Sequence, residues 1–475
     1  MKWHLPNLAS LLSLPAVLTL TVSASLWLSI FVYHNFALWR DPHSAYFHSK
    51  HAYDFGYSVV RQQEARAFLD QHSTSTSTST APPSSTTAAS SNITQQQQPI
   101  LCAAFATFPR DHPDAAHYFP DAVGSMLVGL SPRQRAAVDV RILFADADPI
   151  SNMSSQYPWL PALVDHYASY ENLSAADTAE LFRLQEAHDF QRKGVLDFLY
   201  LLEECYNDTT APYIGVFEDD IIFAGDWFAR TLLALQHLTN TTDNTGTNGW
   251  LYLRLFNSET FLLWNPNKDW VFDHIWITLV LVIFSSATFL LIVRCSVHPC
   301  GRLETSTIVA LSVVVIPGFT VLAFMAGKYN LPMYSLRGGG VLDYHRKLLE
   351  LGGLNKNSSG VVPMDTRGCC SQALVFDRRR VPELAAYLRN RGRGQTDLMM
   401  EEYCDRPGGF LYRFAHGEQA VQHVGVVSSR GGSSNGARSV WAFYFEENTV
   451  DEIARQKASA LERMDWDVFK KLTDG

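Results

Sequence analysis

The sequence predicts an α/β domain interrupted by a transmembrane helical hairpin and preceded by an N-terminal transmembrane anchor. Three observations carry this reading. Three long blocks of the chain contain no charge; strand and helix signals alternate from residue 100 onward; and the same alternation resumes after the second and third blocks.

The uncharged blocks come first in the argument. No Asp, Glu, Lys or Arg occurs from Leu5 to Trp39, from Ile275 to Val293 or from Thr305 to Gly327. Each block reaches the roughly 20 residues that cross a bilayer core. A core helix of a soluble domain keeps a polar stripe, and VALSVVVIPGFTVLAF has none. Val22-Ser23-Ala24-Ser25 offers signal-peptidase-like small residues, but the apolar run continues through Leu26 to Val32, too long for a signal sequence. The first block therefore reads as an uncleaved anchor at 11–33, and the others as membrane helices at 273–293 and 305–327. The segment between the last two, from Arg294 to Arg302, is basic, which places 294–304 and the N-terminal tail 1–10 in the cytosol. The remainder then lies across the membrane: a luminal stem 34–72, a low-complexity insert 73–99, and soluble halves 100–270 and 328–475.

Six N-x-Ser/Thr sequons, at Asn92, Asn152, Asn172, Asn207, Asn240 and Asn357, all fall on the predicted luminal side. Cys102, Cys205, Cys369, Cys370 and Cys404 share that compartment, so up to two disulfides with one thiol left over are expected, with no pairing readable. The formal net charge of −9 argues against a nucleic-acid partner.

Within the soluble halves, STSTSTSTAPPSSTTAASSNITQQQQP cannot build a core. ILCAAFATF then reads as a buried strand and VDVRILFADADP as a second. Ala175 to Cys205 has helical spacing, and a third strand, Tyr213 to Phe217, ends on Glu218-Asp219-Asp220. Trp250 to Phe256 reads as a fourth strand. Beyond the hairpin, Ser371 to Phe376 reads as a strand, Val381 to Leu388 and Asp397 to Tyr403 as helices, and Val421 to Val427 as a short strand. Neither half looks complete alone, so one domain whose chain leaves and returns is expected, with two small domains as the alternative.

The chemistry concentrates in FEDDII. Three carboxylates at a strand end can hold a hard divalent cation, Mn²⁺ or Mg²⁺, which bridges to substrate phosphates. An acidic triplet is ordinarily a solvated turn; here an apolar strand precedes it and Ile221-Ile222-Phe223 follows it. Acids at the carboxyl end of a strand are how an open α/β sheet presents a ligand site.

Three segments carry a family resemblance: Phe217-Glu218-Asp219-Asp220-Ile221, Gly368-Cys369-Cys370-Ser371-Gln372-Ala373, and Val421-Gln422-His423-Val424-Gly425-Val426-Val427-Ser428-Ser429. Together they resemble Golgi glycosyltransferases of the GT-A (Rossmann-like) fold. They are similar to elements shared by the branching N-acetylglucosaminyltransferases and the GPI-anchor side-chain N-acetylgalactosaminyltransferase. Within that group, a transmembrane hairpin inside the catalytic domain marks the GPI-modifying enzyme.

The resemblance implies a three-pass Golgi membrane enzyme that moves a sugar, an N-acetylhexosamine, from a UDP-sugar to the mannose core of GPI anchors with inversion. Its acceptor would be a GPI-anchored glycolipid or protein at the bilayer. An N-glycan-branching enzyme, which should not need the hairpin, and a non-catalytic scaffold or receptor are the rival readings. Carried over residue by residue, the resemblance makes Asp220 the direct metal ligand and gives Glu218 and Asp219 contacts to nucleotide or metal-bound water. His423 would complete the metal site. Inverting transfer needs a base for the acceptor hydroxyl, with Asp397 expected ahead of Glu401 and Glu402; Asp397 also sits at a helix start, where capping alone would explain it. The arginines at 378–380, 389, 391 and 393 are candidates for GPI phosphates, or simply a solvated face. Gly338-Gly339-Gly340 lacks the flanking strand and Lys of a phosphate loop.

Overall fold

A computed structural model describes residues 13–76, 98–110, 112–147, 153–170, 173–245, 249–259, 270–296, 303–327, 361–364, 370–407, 411–416, 419–427 and 440–473. Expectations for Gly338–Gly340 and for four of the sequons, at Asn92, Asn152, Asn172 and Asn357, lie outside these residues. Two compact units result, one of Asp54–Phe261 with Leu349–Gly475, the other of Met1–Tyr53 with Leu262–Leu348.

The larger unit is an α/β domain. Its strands are β1 (Leu101–Thr107), β2 (Val138–Phe144), β3 (His166–Ala168), β4 (Tyr213–Glu218), β5 (Ile221–Phe223), β6 (Trp250–Arg254), β7 (Val361–Pro363), β8 (Ala373–Asp377), β9 (Tyr412–His416) and β10 (Val421–His423). Eight form one mixed sheet in the order β3-β2-β1-β4-β8-β6-β9-β7, and β10 pairs with β5 in a separate antiparallel ribbon. β3, β2, β1 and β4 run parallel, whereas β8 is antiparallel to both β4 and β6. Strands from after the 262–348 segment thus lie between and beside strands from before it. Both segments therefore contribute strands to the one sheet.

Side chains of β1 alternate between two apolar cores. Leu101, Ala103 and Phe105 join the cluster containing Phe217, Phe223 and Trp227, while Cys102 and Ala104 join Ile214, Phe376 and Leu202 on the other face. A sheet covered on both faces explains why ILCAAFATF reads as an unbroken apolar run. Cys102 is bonded to Cys205 on the covering helix Phe190–Asp208. Cys404 stays free and buried, and burial pushes its thiol up to about 12. The helical stretch Ala175 to Cys205 proves to be two helices. Asp189 caps the second through Arg192 N–H, and His188 at φ 54° makes the corner.

Part of the stretch read as a stem is structured. Tyr57–Thr76 is a helix whose Tyr57, Arg61, Ala65 and Leu69, spaced four apart, are buried on one face. It packs on the helix Tyr118–Leu127, where a Cβ on Gly124 would lie 2.9 Å from that of Ala65. Arg61 donates to the carbonyls of Phe223 (2.9 Å) and Ser125 (2.7 Å).

Among the described residues, the smaller unit holds three helices long and apolar enough to cross a membrane: Leu14–Ala37, Ile275–Ser296 and Thr305–Ala326. The third contains a π-helical stretch, Ala310–Val315, that ends two residues before Pro317. A proline inside a helix lacks an N–H and crowds the preceding turn, which the wider stretch relieves. Trp27 Nε1–H donates to Gly318 O at 2.9 Å, linking the first helix to the third.

Candidate active site

The fold brings a histidine from a distant segment to the acidic turn. Glu218 is the last residue of β4, Asp219 and Asp220 form the turn into β5, and β5 pairs with β10 so that Ile221 faces His423. Val424 N–H donates to Asp220 O at 2.9 Å and fastens the two turns. As a result, ligand atoms of Glu218, Asp220 and His423 all lie within 4.8 Å of one another. Gly425 makes this approach feasible: a Cβ there would stand 2.1 Å from Asp220 Oδ2.

The three acids of FEDDII therefore do not act as one group. Asp219 is buried and faces Arg110, which donates to its two oxygens at 2.8 and 2.6 Å, while Thr107 Oγ donates at 2.8 Å. Burial lifts the Asp219 pKa against the pull of Arg110. Asp220 behaves oppositely. Burial opposes its charge, but His423 and Arg110, each 3.5 Å from Oδ2, hold its carboxyl below the usual range. Burial likewise opposes an imidazolium at His423, yet Asp220 and Glu218 raise its pKa overall. Its Nδ1 lies 3.1 Å from Val440 O, which orients Nε2 toward Asp220.

This donor set suits a divalent cation. Two carboxylates and an imidazole are hard-to-borderline ligands, and Asp220 Oδ1 is buried with no hydrogen-bond partner among the described residues, an unmet acceptor of the kind a cation satisfies.

The triad opens on a cavity of about 590 Å³ that is also lined by Arg110, Lys193, Asp197, Gln372 and Asp397. The segment 370–372 joins its two carboxylate groups. Ser371 Oγ donates to Glu218 Oε1 at 3.0 Å, Gln372 O accepts from Glu218 N, and Cys370 N–H donates to Asp397 Oδ2 at 2.9 Å. Cys370 holds φ at +84°, a strained conformation for a residue with a Cβ. Of the three base candidates, Asp397 alone lines the cavity. Glu401 is buried between Tyr252 and Arg413 (2.7 Å), and Glu402 lies on the surface with Arg391 (2.8 Å).

Five of the six arginines considered for phosphate binding are engaged elsewhere. Arg379 pairs with Asp377, Arg389 with Glu203, Arg391 with Glu402, and Arg393 with Asp189, while Arg378 donates to the carbonyls of Cys205 and Tyr206. None of them lines the cavity. Sequence reasoning missed Arg110, although its place just past the carboxyl end of a strand in an open α/β sheet is a readable signal.

Residues 101–409, more than half of the chain, match the family described as GPI-N-acetylgalactosamine transferase PGAP4. The chain belongs to this family. The PGAP4 match takes in β1 through Cys404, and so Arg110, Glu218, Asp219, Asp220 and Asp397; it ends before β10, leaving His423 outside the matched residues. No curated protein is significantly similar to the chain. Membership of the PGAP4 family makes this a GPI-related glycosyltransferase, and the three apolar helices fit a membrane protein.

Proposed function

We propose that this chain is a metal-dependent, inverting glycosyltransferase of the Golgi membrane. It would transfer an N-acetylhexosamine from a UDP-sugar to the mannose core of GPI anchors, through a GT-A-type domain whose two halves flank a luminally rooted hairpin. The observation that carries the proposal is the convergence of Glu218, Asp220 and His423 on a cavity shared with Asp397.

In this reading Asp220, His423 and Glu218 would hold Mn²⁺ or Mg²⁺, and the bound ion would supply positive charge for a diphosphate leaving group. Arg110 balances the acidic turn and adds positive potential at the same end of the cavity. Asp219 keeps Arg110 in place, and nucleotide contacts fall to Glu218 and Arg110. Asp397, its two oxygens anchored by the N–H groups of Cys370 and Leu398 (2.8 Å), stays half-buried and aimed into the cavity. It takes the proton of the acceptor hydroxyl as that oxygen bonds to the anomeric carbon. The bond from that carbon to the diphosphate breaks on the opposite face, and UDP leaves with the electron pair. The apolar helices keep the enzyme in the bilayer where a lipid-anchored acceptor resides.

The test uses the purified full-length chain, Mn²⁺, UDP-N-acetylgalactosamine beside other UDP-sugars, and a GPI-glycan acceptor, with transfer and donor hydrolysis both measured. Turnover that requires metal and disappears in Asp220→Ala supports the proposal. Absence of turnover with every donor, together with unchanged donor binding in Asp220→Ala, would leave a scaffold role instead.

A further inference from the structure

We infer that Glu446, outside the family match and not part of the cavity lining, is a positioning residue for the metal-site histidine. It acts by locking the helix Tyr57–Thr76 to β10. The inference rests on the metal reading proposed above.

Glu446 lies in a short helical turn, Phe443–Glu447, and is buried. Its two oxygens accept four hydrogen bonds. Oε2 takes the backbone N–H groups of Gly56 (2.7 Å) and Ser58 (3.1 Å), while Oε1 takes Ser58 Oγ–H (2.6 Å) and Gln422 Nε2–H (2.7 Å). Two of these donors belong to the first turn of the Tyr57–Thr76 helix, whose unpaired N–H groups and dipole favour a carboxylate. The fit leaves no room at Gly56, where a Cβ would stand 2.4 Å from Glu446 O.

The fourth donor leads to the metal site. Gln422 is fully buried and uses its whole hydrogen-bonding capacity: Oε1 accepts from the N–H groups of His423 (3.1 Å) and Ala442 (3.0 Å), and Nε2 donates to Ala442 O (2.9 Å) and to Glu446. These bonds set β10 against segment 440–446. That same segment supplies Val440 O, which orients the His423 ring. Removing the Glu446 acceptor frees Gln422 and the helix start together, so the strand carrying His423 loses its register against Val440. Strand β5, on the other side of His423, is fastened to the same helix by Arg61 through Phe223 O. The segment that follows the membrane anchor is therefore part of the metal site's supporting shell.

The experiment titrates Mn²⁺ into the full-length chain in detergent and reads free Mn²⁺ by electron paramagnetic resonance, with thermal unfolding and transfer kinetics in parallel. Glu446→Gln puts an amide where four donors converge and should raise the Mn²⁺ Kd by about ten- to a hundred-fold, the range for outer partners of metal ligands. Ser58→Ala deletes one donor, leaves the carboxylate, and should raise it roughly threefold, since only one of the four hydrogen bonds is lost. In both variants kcat should return toward the wild-type value at saturating Mn²⁺. If Glu446→Gln does not fold, Ser58→Ala decides. Mn²⁺ affinities within twofold of wild type, or a loss of kcat that saturating Mn²⁺ fails to restore, overturn the positioning role and leave the metal reading intact. A wild-type chain that binds no Mn²⁺ overturns the metal reading and this inference with it.

Discussion

Gly425→Ala is the sharpest perturbation of the proposed metal site, because it adds one carbon at a known place. The new Cβ would lie 2.1 Å from Asp220 Oδ2, 2.7 Å from Cγ and 3.0 Å from Cβ. Rotating the carboxylate away relieves the first two contacts and leaves the third. The backbone cannot easily retreat either, since Val424 N–H is bonded to Asp220 O and His423 is paired with Ile221. The strain corresponds to overpacking of about 1–3 kcal/mol, which lowers Tm by several degrees for a domain of this size. The larger consequence is functional. Displacing a ligating carboxylate by about 1 Å typically costs on the order of a hundredfold in rate. The assay is metal-dependent transfer from UDP-N-acetylgalactosamine alongside thermal unfolding. Gly225→Ala is the control, as its Cβ meets Ile453 and Tyr57 at an ordinary 3.4 Å. Gly425→Ala activity within threefold of wild type, with unchanged metal dependence, would refute the claim that Asp220 must occupy this position.

The remaining predictions separate chemistry from support. Asp397→Asn should abolish transfer with a change in Tm of a few degrees at most. Glu401→Gln should instead destabilise by about 3–5 kcal/mol, because Arg413 and Arg254 lose a buried carboxylate partner; denaturant unfolding and kinetics on both variants check the pair. Arg110→Ala should destabilise to a similar degree by stranding buried Asp219, and it should weaken donor binding measured by titration.

Metal-free stability and metal affinity should run in opposite directions with pH. The folded-state pKa of His423 is raised above about 6.5, so its contribution to stability is full below that pH and is lost as pH rises through the folded value. Mn²⁺ needs the neutral ring, so its Kd should increase about tenfold per unit as pH falls below the folded pKa. Thermal unfolding in chelator and Mn²⁺ titrations across pH 5–8 test both arms. Finally, replacing Cys102 and Cys205 with serine opens a loop with a sequence separation of 103. The chain-entropy account gives a loss of about 4–5 kcal/mol, read by denaturant unfolding.

What could be read in advance was whatever depends on neighbours in sequence. The apolar blocks announce their helices because crossing a bilayer requires an unbroken run of about 20 apolar residues. β1, β2, β4, β6 and β8 announce themselves as short apolar runs bounded by polar turns, and Glu218-Asp219-Asp220 stand out because three charges directly follow such a run. The helix Tyr57–Thr76 was harder to read, since its buried face includes Arg61 and Ser58, whose partners come from Phe223, Ser125 and Glu446. Local polarity there looks like a solvated stem until those distant acceptors are known.

The tertiary structure alone decided how the acids divide their work. Nothing in the order Glu-Asp-Asp indicates that the middle carboxylate turns to Arg110 while its neighbours face His423; the turn between β4 and β5 and the pairing of β5 with β10 impose it. The same holds for the base candidates, which one helix separates into a cavity-lining Asp397, a buried Glu401 and a surface Glu402. Sequence determined which chemistry was available: membrane spans, a cluster of carboxylates and a histidine-bearing strand. Which of those groups meet was set by long-range strand pairing and by the space at Gly425, and contacts between segments so far apart leave no trace in local periodicity.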